Sequence, residues 1–283
     1  MSTALVTGAT AGIGRQFAEQ LAAKGVDLVL VARDEARLAA VAGELSGRHG
    51  VAVEVLPADL SDRAQLERVA ERLRDAARPV DLLVNNAGYS LNSRFVDSAV
   101  EAEEQLLDVL VRAVLVLTHA AAGPMRERGH GAVLNVASVA AFITSGTYSA
   151  AKSWVTVFSE SLDGQLAGTG VQVMALLPGY VRTEFHERAA MSMDGLPRIT
   201  WLKAPYVVEQ ALRDAAKGSV LSIPSVKYRT AGEMSRIAPR PLVRAMTSPN
   251  WYRRLQARSV ERSRRRASRR NLRAPWQRED DAL

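Results

Sequence analysis

The 283-residue sequence contains no cysteine, which excludes disulfides, thiolate zinc sites and cysteine nucleophiles together. Histidine is scarce: His49, His119, His130 and His186 are all there are. No two of them have the close spacing of a metal-binding pair, so no metal site is expected. The N-terminus runs from Met1 straight into apolar Ala4-Leu5-Val6, without the basic region and longer apolar stretch of a secretory signal. The most apolar run, Val109 to Ala122, is interrupted by Arg112 and is short for a bilayer span. These absences lead to the expectation of a cytoplasmic protein.

A hydrophobic content of 47% and a charged content of 24% are those of a soluble globular chain. The net charge of +7 is unevenly placed. Residues 249–283 hold eleven arginines against four acids, whereas residues 1–248 hold 26 basic and 26 acidic residues. The basic character therefore belongs to the tail, which weakens a nucleic-acid reading of the whole protein.

Short β-branched runs alternate with stretches of helical periodicity. Strands are expected at Ala4–Thr7, Asp27–Val31, Ala52–Leu56, Asp81–Val84, Ala132–Val136, Val171–Leu176 and Val220–Ile223. Between them, segments such as Ala64–Leu73 place Leu66, Val69, Ala70 and Leu73 on one helical face. This alternation predicts an α/β fold of the Rossmann type, a doubly wound parallel sheet of seven strands with helices on both faces. Composition shifts after Pro224, so residues 1–224 are read as one core domain and 225–283 as a C-terminal extension.

Ligands of such sheets sit at the carboxyl ends of the strands. After the first strand comes Thr7-Gly8-Ala9-Thr10-Ala11-Gly12-Ile13-Gly14-Arg15, opening a helix near Ile13. Glycines there permit a tight turn and close backbone approach, and the helix N-terminus offers N–H groups to a pyrophosphate. The second strand ends Ala32-Arg33, with no acid until Asp34. An acid at that place holds the ribose 2′-hydroxyl of NAD, whereas an arginine accommodates the 2′-phosphate of NADP. Arg33 and Arg15 together favour NADP(H), with NAD as the alternative. Asp59, in Ala58-Asp59-Leu60, is placed to accept from the adenine amino group, while helix capping falls to Ser61 or Asp62. Asn85-Asn86-Ala87-Gly88 is small and polar where chain passes close to a cofactor.

Four motifs in register carry a resemblance. They are the Thr7–Gly14 loop, Asn85-Asn86-Ala87-Gly88, Ser138 with Tyr148-x-x-x-Lys152, and Pro178-Gly179 with Thr183. The sequence resembles the short-chain dehydrogenase/reductase family over roughly residues 3–224. The resemblance implies that Ser138, Tyr148 and Lys152 are catalytic, with Tyr148 and Lys152 also touching cofactor. It implies a cofactor-binding set of Gly8, Thr10, Gly12, Ile13, Gly14, Arg15, Arg33, Asp59, Leu60, Asn86, Ala87 and Gly88. Pro178, Gly179 and Val181 would fold over the nicotinamide, and Thr183 would bind its carboxamide. Tyr148 and Lys152 lie a turn apart on one helix face, where an ammonium lowers the pKa of a phenol.

Two features depart from the family pattern. Leu110 stands where the family places an asparagine that positions a relay water, in a helix expected over Glu103–Thr118. Ser138 and Tyr148 are ten apart where thirteen is usual, which shortens the loop Ala140–Thr147 and leaves Asn135 and Ser145 as fallback hydrogen-bonders. A lid is expected at about 184–203, and its Phe185, Met191, Met193, Leu196 and Trp201 suggest a hydrophobic ketone or alcohol. The resemblance further implies a homodimer or homotetramer formed through helices Glu103–Thr118 and Tyr148–Leu166. For the arginine-rich tail a solvated extension is the plainest reading, against an anionic-membrane contact that would place the protein peripherally at a membrane and nucleic-acid binding, for which no recognisable module is present. For the whole chain, a catalytically impaired NADP(H)-binding sensor or scaffold is the alternative to an enzyme.

Overall fold

The computed structural model describes residues 2–184 and 200–239, together with 241, 243 and 244. Most of the expected lid and the arginine-rich tail lie outside the described residues. One compact unit spans Met1–Ile237 and a second Ala238–Leu283.

Seven strands form one sheet: β1 (Thr3–Thr7), β2 (Asp27–Ala32), β3 (Val53–Pro57), β4 (Leu82–Asn85), β5 (Gly131–Val136), β6 (Val171–Leu176) and β9 (Leu221–Ser222). Their order is β3-β2-β1-β4-β5-β6-β9, and every pairing is parallel. The strand order reverses between β1 and β4, which opens the crevice where such sheets bind ligands. A separate pair, β7 (Val181–Arg182) and β8 (Leu202–Lys203), is also parallel.

The central strands are nearly continuous apolar runs because helices cover both faces. One layer packs Phe17, Leu21, Leu38 and Leu45 from helices α1 (Gly12–Ala22) and α2 (Glu35–His49) against Val6, Leu28 and Leu30. The other packs Leu66, Val69 and Leu73 of α3 (Arg63–Arg74) with Leu117 and Met125 of α5 (Ala113–Arg128) against Leu5, Val29 and Leu83. The expected strands agree with these within one or two residues. Asp62, one of the two caps the sequence offers, caps α3, accepting from Gln65 N–H at 2.8 Å.

Three features were not expected. The helix foreseen at Glu103–Thr118 runs from Val100 to Arg128, as α4 (Val100–Leu107), a π-helical turn (Asp108–Arg112) and α5. This 29-residue run is long and apolar enough to cross a membrane, correcting the expectation from Val109–Ala122. Half of its most apolar stretch is buried within the fold, as in a core helix. Secondly, helix α6 (Gly146–Gln165) is followed, beyond α7 (Ala204–Ala216), by α8 (Val226–Ile237). Helix α8 belongs to the same compact unit as the sheet. Thirdly, Asn85 and Asn135 are buried at the strand ends. Asn85 Nδ2 donates to Thr118 Oγ1 (3.0 Å) and Asn135 Oδ1 (2.9 Å), and Asn135 Nδ2 donates to Ser159 Oγ (3.0 Å). Asn135 is thus bound up in a satisfied interior network and does not serve as a fallback for Ser138. Ser145 is exposed at the start of α6.

Candidate active site

The glycine loop is shaped by close approach. Gly8 and Gly12 have φ of 66° and 55°, left-handed values that glycine adopts freely. At Gly14 a Cβ would lie 2.3 Å from both Asn86 Nδ2 and the Gly8 carbonyl oxygen, so only glycine fits. Asn86 Nδ2 donates to the Thr7 carbonyl (2.9 Å), and the amides of Asn86 and Ala87 donate to Thr7 Oγ1 (2.9 and 3.0 Å). The Asn85–Gly88 segment is thereby stitched to the loop across the switch point. Helices α2 and α3 have aspartate caps, whereas α1 has no side-chain cap and no acid in its first turn. Its N-terminal amides and dipole are left for an anionic ligand. Thr183 faces Gly12, where an added Cβ would meet its side chain at 3.1 Å. These features fit the pyrophosphate of a dinucleotide.

The cations distribute differently from expectation. Arg33 follows β2, is 75% exposed, and stands 4.0 Å from Asp59. Asp59 Oδ1 accepts from the amide (2.9 Å) and hydroxyl (2.7 Å) of Ser61. Arg15 is mostly buried and paired with Glu19 (3.1 Å) and Glu44 (2.8 Å), so it is not a free cation beside the loop. A further cation at this end is Arg37, whose Nη2 reaches the Thr10 carbonyl (3.4 Å) and Glu184 (3.2 Å). Its signal was present: Asp34 caps α2 by accepting from Arg37 N–H (3.0 Å), which fixes the first turn beside the loop.

At the other end of the crevice, β5 delivers Val136 and then Ser138, and α6 delivers Tyr148 and Lys152. The hydroxyls of Ser138 and Tyr148 hydrogen-bond each other, so the shortened loop still brings the serine in. Ser138 Oγ also accepts from Ala140 N–H at 3.1 Å, capping the 3₁₀ turn Val139–Phe142. Lys152 is buried, donates to the Val136 carbonyl at 2.6 Å, and has its Nζ 5.8 Å from the Tyr148 ring centre. Burial pushes the Tyr148 hydroxyl up to about 12, against the Ser138 hydrogen bond, which pulls it down. Burial draws the Lys152 ammonium down to about 8. Both shifts oppose charge in a desolvated place.

Leu110 lies in the π-helical turn, fully buried. A Cβ at Gly88 would meet Leu110 Cδ2 at 2.8 Å and Lys152 Nζ at 3.8 Å. Leu110 and the lysine therefore converge on Gly88, and Tyr148 packs on the cluster of Leu106, Leu110 and Ala151. Among the described residues, no group of three or more His, Asp or Glu could hold a metal.

The short chain dehydrogenase family model matches residues 2–193. The chain belongs to the short-chain dehydrogenase family. A short-chain dehydrogenase from Sphingobium yanoikuyae, solved in complex with NADPH, is 36% identical, with a TM-score of 0.76 over 84% of this chain and 97% of that one. A family member from Burkholderia phymatum, solved in complex with NAD, is 27% identical, with a TM-score of 0.73 over 82% and 92%. A very-long-chain 3-oxoacyl-CoA reductase of Anas platyrhynchos is 31% identical over 210 residues, which are 71% of this chain and 66% of the relative. The short-chain dehydrogenase described here is accordingly an oxidoreductase with a Rossmann-type fold.

Proposed function

We propose that this oxidoreductase uses NADP(H) to interconvert a ketone or aldehyde and an alcohol on a hydrophobic substrate. The observation that carries the reading is the Ser138–Tyr148 hydroxyl pair with a buried lysine behind it. Gly8, Thr10, Gly12, Ile13, Gly14, Leu60 and the Asn86–Gly88 segment would hold the dinucleotide, and Arg33 with Arg37 would receive the 2′-phosphate. Pro178, Gly179, Val181 and Thr183 would lie over the nicotinamide, which supplies or accepts the hydride when bound. Tyr148 gives its proton to the carbonyl oxygen, Ser138 hydrogen-bonds the same oxygen, and the Lys152 ammonium stabilises the phenolate left behind. A tyrosine held neutral by burial is suited to the acid role.

An apolar substrate is supported by the surroundings and by a relative named for very-long-chain acyl reduction. Val139, Ala141, Phe142 and Trp154 are partly buried against one core cluster, and Tyr180 and Trp201 pack ring to ring at 5.9 Å. Exposed Leu107, Leu115 and Val157 on α4, α5 and α6 support self-association into a homodimer or homotetramer. The test is a panel of apolar ketones with NADPH or NADH, followed by loss of reduced-cofactor absorbance. NADPH-dependent reduction of bulky ketones is expected. Tight NADPH binding without turnover across the panel would favour a sensor or scaffold, the reading that buried Leu110 supports.

A further inference from the structure

Helix α8 touches both loops that carry the site. A Cβ at Gly232 would meet the Phe142 ring at 2.7 Å, and a Cβ at Gly179 would meet the Tyr228 ring at 2.1 Å. The Tyr228 hydroxyl does more than fill space. In the β7–β8 pair, Val181 is in register with Leu202, and Leu202 N–H donates to the Tyr180 carbonyl at 2.8 Å. A parallel ladder is evenly rung, and the rung before this one would run from Tyr180 N–H to the Thr200 carbonyl. The Tyr228 hydroxyl sits in that rung. It accepts from Tyr180 N–H (3.4 Å) and donates to the Thr200 carbonyl (2.7 Å). One side chain from α8 thus joins both strand entries of the small sheet and abuts Gly179.

We propose that Tyr228 is a positioning residue for the cofactor: by completing this rung it holds Gly179–Thr183 in the conformation that receives the nicotinamide half. The proposal rests on the NADP(H) reading above. Tyr228 touches neither cofactor nor substrate; it acts through Tyr180 and Gly179. Without the rung, cofactor binding must itself order the segment, and that ordering is subtracted from the affinity. The adenosine half would bind on the Arg33 side of the crevice, which Tyr228 does not touch.

The experiment compares the full-length wild type with Tyr228→Phe, which keeps the ring and removes the hydroxyl. Binding of NADPH and of 2′,5′-ADP is titrated, with hydrogen exchange as a second readout. The expected result is an NADPH Kd roughly tenfold weaker, with 2′,5′-ADP affinity unchanged and exchange faster in peptides covering Tyr180 but not in β5 or β6. A merely structural tyrosine would move both ligands together or neither. NADPH affinity equal to wild type, or parallel loss of both ligands, overturns the proposal. A wild type that binds neither ligand overturns the cofactor reading and this proposal with it. If Tyr228→Phe does not fold, fast exchange of the Tyr180 amide in the wild type overturns the proposal, and protection equal to that of β7 supports it.

Discussion

Lys152 Nζ donates to the Val136 carbonyl at 2.6 Å, tying the buried ammonium to the end of the strand that delivers Ser138 two residues later. That bond fixes the lysine between strand and helix, within reach of Tyr148 and against Gly88. Burial of the same ammonium governs how the site titrates.

Reduction needs a protonated Tyr148 and a charged Lys152. With the lysine drawn down to about 8 and the tyrosine pushed up to about 12, the lysine loses its proton first. The kcat/KM for NADPH in ketone reduction should be level below about pH 8 and fall roughly tenfold per unit above it. A flat profile between pH 7 and 10, recorded with stability monitored in parallel, would contradict this.

The same shifts set the stability of the cofactor-free protein. Lysine is ordinarily near 10.5, so between about 8 and 10.5 the native state has already shed a proton that the unfolded chain still binds. Stability from Lys152 therefore rises over that window. Tyr148, ordinarily near 10, stays protonated in the native state up to about 12, so its contribution is intact below 10 and lost as pH rises towards 12. Urea unfolding should show a rise above pH 8 that turns over above pH 10. Lys152→Met should lose the rise and keep the turnover.

Cofactor choice should depend on Arg33 and Arg37, 75% and 44% exposed, more than on Arg15, which is 18% exposed and held between Glu19 and Glu44. Arg33→Ala is expected to lower the preference for NADPH over NADH by roughly tenfold or more, the loss of a charge-assisted contact. Arg37→Ala should act in the same direction and Arg15→Ala less. Parallel NADPH and NADH titrations check the order, and equal effects from all three would contradict it.

The seven main strands and the glycine loop were legible because buried parallel strands are continuous apolar runs and because positive-φ turns demand glycine. Asn135 was misjudged because a polar residue late in a strand reads equally as a ligand contact or as a buried network. The π-helical turn around Leu110 has no local composition signal, and the two-residue strands β7 and β8 are too short for a period to register. Helix α8 is not legible because proline and arginine enrichment after residue 224 masks the last helix of the compact unit. Arg37 needed only the helix cap at Asp34 to be traced one turn further.

Leu110 is fully buried between Gly88 and Tyr148. Leu110→Ala should cost about 2–5 kcal/mol of stability, read by urea unfolding. It should also loosen the packing behind Tyr148, lowering kcat more than it weakens NADPH binding. A loss under 1 kcal/mol by the same measurement would show that the π-helical turn does not hold this side chain as described.

The most direct test of the account is Tyr148→Phe, assayed for ketone reduction and for NADPH affinity in the same preparation. The account predicts turnover lower by on the order of 10³-fold with NADPH affinity within a few-fold of wild type. Turnover retained within tenfold would contradict it.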